Sequence, residues 1–128
     1  MSTILIVDDD KTIRVLVTQL VNKAGHHCIA ARNGKRAIEV LQDNPKVDVV
    51  ITDMQMPEMH GDALVKYLRA DEHFAQIPII MISGFVQAHE VKDLLANGVD
   101  RFVPKPVDTK QLNVYIQDMV EQSKKSAA

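Results

Sequence analysis

The chain has 128 residues, enough for one domain around one core and too few for a second. Apolar residues make up 46% and charged residues 25%, an ordinary soluble globular balance, and the net charge of −2 excludes a broad electrostatic attraction to nucleic acid. No stretch reads as a signal peptide, no apolar run approaches the roughly 20 residues that cross a bilayer, and a single cysteine, Cys28, excludes an intramolecular disulfide, so a cytoplasmic location without membrane insertion is expected.

Apolar runs alternate with segments of helical period. Ile4–Val7 reads as a short strand. Asp10 to Ala24 then sets Ile13, Leu16, Val17 and Leu20 on one helical stripe, which Gly25 ends. His27–Ala31 is a weaker strand, with Cys28 read as a small core residue. Asn33-Gly34 reads as a turn before a short helix carrying Ala37, Ile38 and Leu41, and Asn44-Pro45 breaks that helix. Val47–Thr52 is a third strand, Gly61–Ala70 a helix, and Ile77–Ser83 a fourth strand with Pro78 near its start. Ala88–Ala96 is helical, Asn97-Gly98 closes it, and Val99–Val103 is a fifth strand. Asp108 caps a last helix with Leu112, Tyr115, Ile116 and Met119 inward. The domain is expected to end at residue 121, and the polar residues 122–128 to fray.

Five β-α units predict an α/β fold with a doubly wound, five-stranded parallel sheet. The first, third and fourth strands are nearly continuous apolar runs, as expected where helices cover both faces. In such a sheet the ligand crevice lies at the carboxyl ends of the strands. Asp8, Asp9 and Asp10 follow the first strand and Asp53 follows the third. Ser83-Gly84 end the fourth, and Lys105 lies between Pro104 and Pro106 past the fifth. Taken singly these are a helix cap, a turn residue, a loop and a surface charge. Taken together, gathered carboxylates repel one another unless a cation joins them, and Mg²⁺ suits oxygen ligands of this kind. A lysine and a hydroxyl opposite could hold phosphoryl oxygens, and a carboxylate can attack phosphorus to give an acyl phosphate.

The segments Val7-Asp8-Asp9-Asp10, Asp53-Met54-Gln55-Met56-Pro57-Glu58-Met59-His60-Gly61, Ile82-Ser83-Gly84 and Pro104-Lys105-Pro106 together resemble the receiver domain of bacterial two-component response regulators, CheY-like and single-domain, from Ile4 to about Val120. The resemblance implies a flavodoxin-like strand order 2-1-3-4-5 with five helices. It implies that Asp53 is the phosphoacceptor, with Ser83 bonding the phosphoryl group and Lys105 pairing with it. It implies Mg²⁺ held by Asp9, Asp53 and the carbonyl of Gln55, with Asp8 acting through water. Ser83 and Phe102 would be the switch residues, and Lys105-Pro106 a cis peptide. The implied donor is a histidine kinase or histidine phosphotransfer protein. The implied output is a downstream protein target, met through the fourth helix, fifth strand and fifth helix. The domain would be a signalling switch that catalyses only its own phosphorylation and dephosphorylation. His60 departs from the commoner Asp, Asn or Ser, and Ser83 from the commoner Thr. Phe85 and Gln55 would flank the phosphoryl group, with Phe85 shielding it from water.

Two other readings compete. Asp8-x-Asp10-x-Thr12 after a strand also matches the first motif of haloacid-dehalogenase-type phosphatases, with Asp8 as nucleophile and Asp10 as acid/base. That family needs a further acid after a later strand, for which only Asp100 is near, and it leaves Asp53 unexplained. A structural adaptor of the same fold would not need the acidic site. The five histidines (His26, His27, His60, His73 and His89) show no metal-ligand spacing.

Overall fold

The computed structural model describes residues 1–84 and 87–127, with the backbone alone at 126 and 127. Phe85, and with it the expected shielding, lies outside the described residues. In chain order the elements are β1 (Thr3–Val7), α1 (Lys11–Lys23), β2 (His27–Ala31), α2 (Gly34–Asp43), β3 (Val49–Asp53), α3 (Gly61–Ala70), β4 (Ile79–Ser83), α4 (Ala88–Ala96), β5 (Arg101–Pro104) and α5 (Thr109–Ala127). The strands pair in parallel in the order β2-β1-β3-β4-β5, the doubly wound arrangement that the sequence predicts. Among the described residues no helix is long and apolar enough to cross a membrane.

Strand side chains alternate between two cores, as the two-residue period requires. Leu5, Val7, Val50, Ile79 and Met81 join Leu64, Leu68 and Leu94 on the face covered by α2, α3 and α4. Ile4, Ile6, Ile51, Ile80 and Ile82 join Val17, Val21, Leu112, Ile116 and Met119 on the face covered by α1 and α5. β1, β3 and β4 are the three inner strands and, apart from Thr3, are buried throughout, whereas β2 and β5 form the edges and are partly open. That placement is why the two edge strands carry the weaker apolar signal.

Helix ends follow their local chemistry. Asp10 Oδ1 accepts the amide of Thr12 at the start of α1, and Asp108 Oδ1 accepts the amides of Lys110 and Gln111 at the start of α5. α1 ends in a Schellman motif: Gly25, at φ 87°, donates to the carbonyl of Asn22, and His26 donates to that of Val21. α4 ends the same way, with Gly98 at φ 114° donating to Leu95 and Val99 to Leu94.

Several boundaries differ from the sequence reading. Asn33-Gly34 is a helix start rather than a free turn: Asn33 Oδ1 accepts the amide of Arg36, and Gly34 is the first residue of α2. Val47 and Asp48 precede β3, with Asp48 Oδ2 taking the amide of Thr3, so Val47 is buried without being in the strand. β5 begins at Arg101, because Val99 closes the Schellman motif of α4. α5 continues to Ala127, past the expected end at residue 121.

Candidate functional site

The carboxyl ends of β1, β3, β4 and β5 bring four of the singled-out side chains together. Asp8 follows β1 and is fully buried; Asp53 and Ser83 are the last residues of β3 and β4 and are also buried. Lys105 follows β5, and its position is set by its amide, which donates to the carbonyl of Ser83 at 2.9 Å. Its Nζ lies 3.4 Å from Asp53 Oδ1 and 3.6 Å from Asp8 Oδ2. The Lys105-Pro106 peptide is cis, as expected. Asp9 is exposed at the mouth, yet one carboxylate oxygen from each of Asp8, Asp9 and Asp53 lies within 4.8 Å of the others.

The backbone around these groups is tightly determined. The amide of Asp8 donates to the carbonyl of Ala31 on β2, and Asp8 Oδ1 accepts the amide of Asp10 at 2.8 Å. Gly61 comes so close to β3 that a Cβ there would strike the carbonyl oxygen of Asp53 and lie 2.9 Å from Met54 Cα. Its amide donates to the carbonyl of Met54 at 2.7 Å, so only glycine lets α3 start against the phosphoacceptor candidate. His60 precedes α3 without capping it through its side chain.

Electrostatics follow from crowding without solvent. Burial pushes the Asp8 carboxyl up to about 6; Asp53 and Asp9 push the same way, while the Asp10 amide and Lys105 oppose them. Burial also raises Asp53, against Lys105 and the amides of Gln55 and Met54. Asp8 Oδ2 is buried without a hydrogen-bond partner. Lys105 at 3.6 Å is one cation against three acids, so the cluster keeps a net negative charge that a further cation would offset, and the all-oxygen donor set fits Mg²⁺.

A profile of the response regulator receiver domain matches residues 4–117. The chain belongs to this family. As a receiver domain it is 35% identical over 118 residues to the chemotaxis protein CheY homolog of Campylobacter jejuni, covering 91% of each. It is 31% identical over 121 residues to the sensor kinase CckA of Brucella abortus, covering 94% of this chain and 13% of that protein. Among solved structures, the chemotaxis protein CheY4 of Vibrio cholerae superposes with a TM-score of 0.86 at 28% identity, covering 93% of this chain and 98% of that one.

The remaining singled-out residues fall around the receiver pocket. Gln55 is exposed in the loop after Asp53. Phe102 on β5 is half-buried against the α3–α4 side of the core, opposite Met81. The phosphatase reading loses its acids: the Asp10 carboxylate caps α1, and Asp100 Oδ2 accepts the amide of Ile79 at the far, amino-terminal edge of β4. Two arginines escape sequence reading because they bind backbone. Arg14 Nη1 donates to the carbonyl of Asp8 at 2.7 Å. Arg69 donates to the carbonyls of Gly98, Ala75 and Ile77 and pairs with Asp100. Cys28 is half-buried beside Thr18. His27, His60, His73 and His89 are exposed, and His26 Nδ1 accepts the amide of Ser2.

Proposed function

We propose that this receiver domain accepts a phosphoryl group on Asp53 from the phosphohistidine of a histidine kinase or histidine phosphotransfer protein. The observation that carries the reading is Lys105 Nζ at 3.4 Å from Asp53 Oδ1 and 3.6 Å from Asp8 Oδ2, at a cluster that also holds the Asp9 carboxylate. A free Asp53 oxygen attacks phosphorus, the P–N bond breaks, and the leaving imidazole takes a proton. Lys105 balances charge on the phosphoryl oxygens, and the Ser83 hydroxyl donates a hydrogen bond to one of them. Asp8, Asp9, Asp53 and the carbonyl of Gln55 would hold Mg²⁺, which when bound neutralises the phosphoryl group and the acidic cluster. Water later cleaves the acyl phosphate and restores Asp53, so the domain catalyses its own modification and its reversal.

The output reading rests on the same geometry. Ser83 and Lys105 are drawn toward the phosphoryl group, which repositions the carboxyl ends of β4 and β5. Phe102, half-buried against the core, then swings inward and changes the surface of α4, β5 and α5 that meets a downstream protein. The working compartment is the cytoplasm. The test is labelling by acetyl phosphate with and without Mg²⁺. Asp53→Asn abolishes labelling, and removal of Mg²⁺ or Asp8→Asn weakens it. Undiminished labelling of Asp53→Asn would sink the assignment.

A further inference from the structure

We propose that the basic cleft between α1 and α2 docks an acidic flank of the phosphodonor protein beside the Asp53 pocket. The inference rests on the phosphotransfer reading above and concerns which surface the donor uses. The cleft has a volume of about 620 Å³, and its charged lining is Arg14, Arg32, Lys35, Arg36, Glu39 and Glu58. On a chain of net charge −2, cations thus outnumber carboxylates along this one surface.

These cations are not equivalent. Arg36 is neutralised by Glu39 at 2.7 Å. Arg32 and Lys35 are exposed, and among the described residues neither makes an ion pair. Arg14 is fixed, because its guanidinium bonds the carbonyl of Asp8 at 2.7 Å. Ala31, also in the lining, accepts the amide of Asp8 at 3.1 Å. The cleft wall and the acid pocket therefore share backbone. The far side is equally set: Met59 packs so closely on Gly34 that a Cβ there would meet its Cγ at 2.8 Å, which holds the loop carrying Glu58 against α2. Glu58 itself sits at φ 69°, unusual for a residue with a side chain.

Charge complementarity selects the occupant. A phosphohistidine is itself anionic and must approach a pocket that gathers three carboxylates against one lysine, a net negative charge until Mg²⁺ is bound. Cations just outside that pocket offset the repulsion and steer a partner whose own surface is acidic there. Glu39 and Glu58 among them disfavour a uniform polyanion such as nucleic acid and favour a protein surface of mixed sign.

The experiment compares two donors on the wild type and on R32E/K35E. One is acetyl phosphate, too small to span the cleft. The other is a panel of phosphorylated histidine kinases and phosphotransfer proteins from the source organism, from which the fastest donor to the wild type is taken. Acetyl phosphate should label Asp53 equally in both, and melting curves should coincide, because both side chains are exposed. Transfer from the protein donor should fall about tenfold or more at low salt, and the gap should narrow near 0.5 M salt. Equal rates from the protein donor overturn the inference. So does an equal loss with both donors, which would place the effect in the pocket itself. Failure of either donor to label Asp53 in the wild type overturns the functional reading, and this inference with it.

Discussion

Asp8 is the residue whose energetics are most exposed to measurement. Its carboxyl is lifted to about 6 from an ordinary 3.8, chiefly by burial. The folded state therefore binds this proton more tightly than the unfolded chain. Its contribution to stability is fully present below about pH 4 and is lost as pH rises toward 6. At about 1.4 kcal/mol for each tenfold change in proton affinity, the loss is on the order of 3 kcal/mol for the metal-free protein. Asp8→Asn should therefore be more stable than the wild type at pH 7 without metal, with a flatter profile between pH 4 and 6. Millimolar Mg²⁺ should raise the melting temperature of the wild type more than that of the variant. Urea unfolding across pH, with and without Mg²⁺, measures both; a wild type whose stability rises through this window without metal would contradict the assignment. The acids themselves were legible in the sequence, because each lies at the end of a strand that its apolar run announces. Arg14 was not, because its partner is a backbone carbonyl and no residue pattern marks such a contact.

At the scale of elements, the start of α3 carries the strongest local constraint. Gly61→Ala would drive a methyl group into the carbonyl of Asp53 and against Met54 Cα at 2.9 Å. It should cost roughly 1–3 kcal/mol of stability and slow labelling of Asp53 by shifting the end of β3; denaturant titration and a labelling time course check the two effects separately. At the opposite edge of the sheet, Arg69 ties α3 to the segment before β4 and to the turn before β5. Arg69→Ala should destabilise by roughly 2–4 kcal/mol, since it leaves three part-buried carbonyls and Asp100 without their donor. Labelling by acetyl phosphate at a temperature where the variant is folded should be unaffected, because the clasp lies away from Lys105 and Asp53. The sequence placed α1, α3 and α4 well, since their stripes are strongly periodic. It set residues 122–128 apart as a tail because they are polar or small; Gln122 reaches Asp100 at 3.2 Å, a partner 22 residues away that no local pattern reveals.

The whole molecule divides its labour between the two ends of one sheet. The carboxyl edge gathers the acids, hydroxyl and lysine, and the amino edge is stapled by Arg69, Asp100 and Asp48. The inner strands were legible because a strand covered on both faces must be apolar throughout; right-handed crossovers gave a doubly wound sheet, and its strand order came from the resemblance to receiver domains. The edge strands were blurred by their half-open surfaces. A switch set at Asp53 should register on α4, β5 and α5, including Phe102. Amide NMR shifts on phosphorylation confined to α2 would contradict that. The central claim, that Asp53 is the acceptor, is tested most directly by peptide mapping of the chain after reaction with acetyl phosphate and Mg²⁺. The account predicts one phosphoryl group, on the peptide holding Asp53 and lost in Asp53→Asn; a phosphoryl group on Asp8, retained in Asp53→Asn, would contradict it.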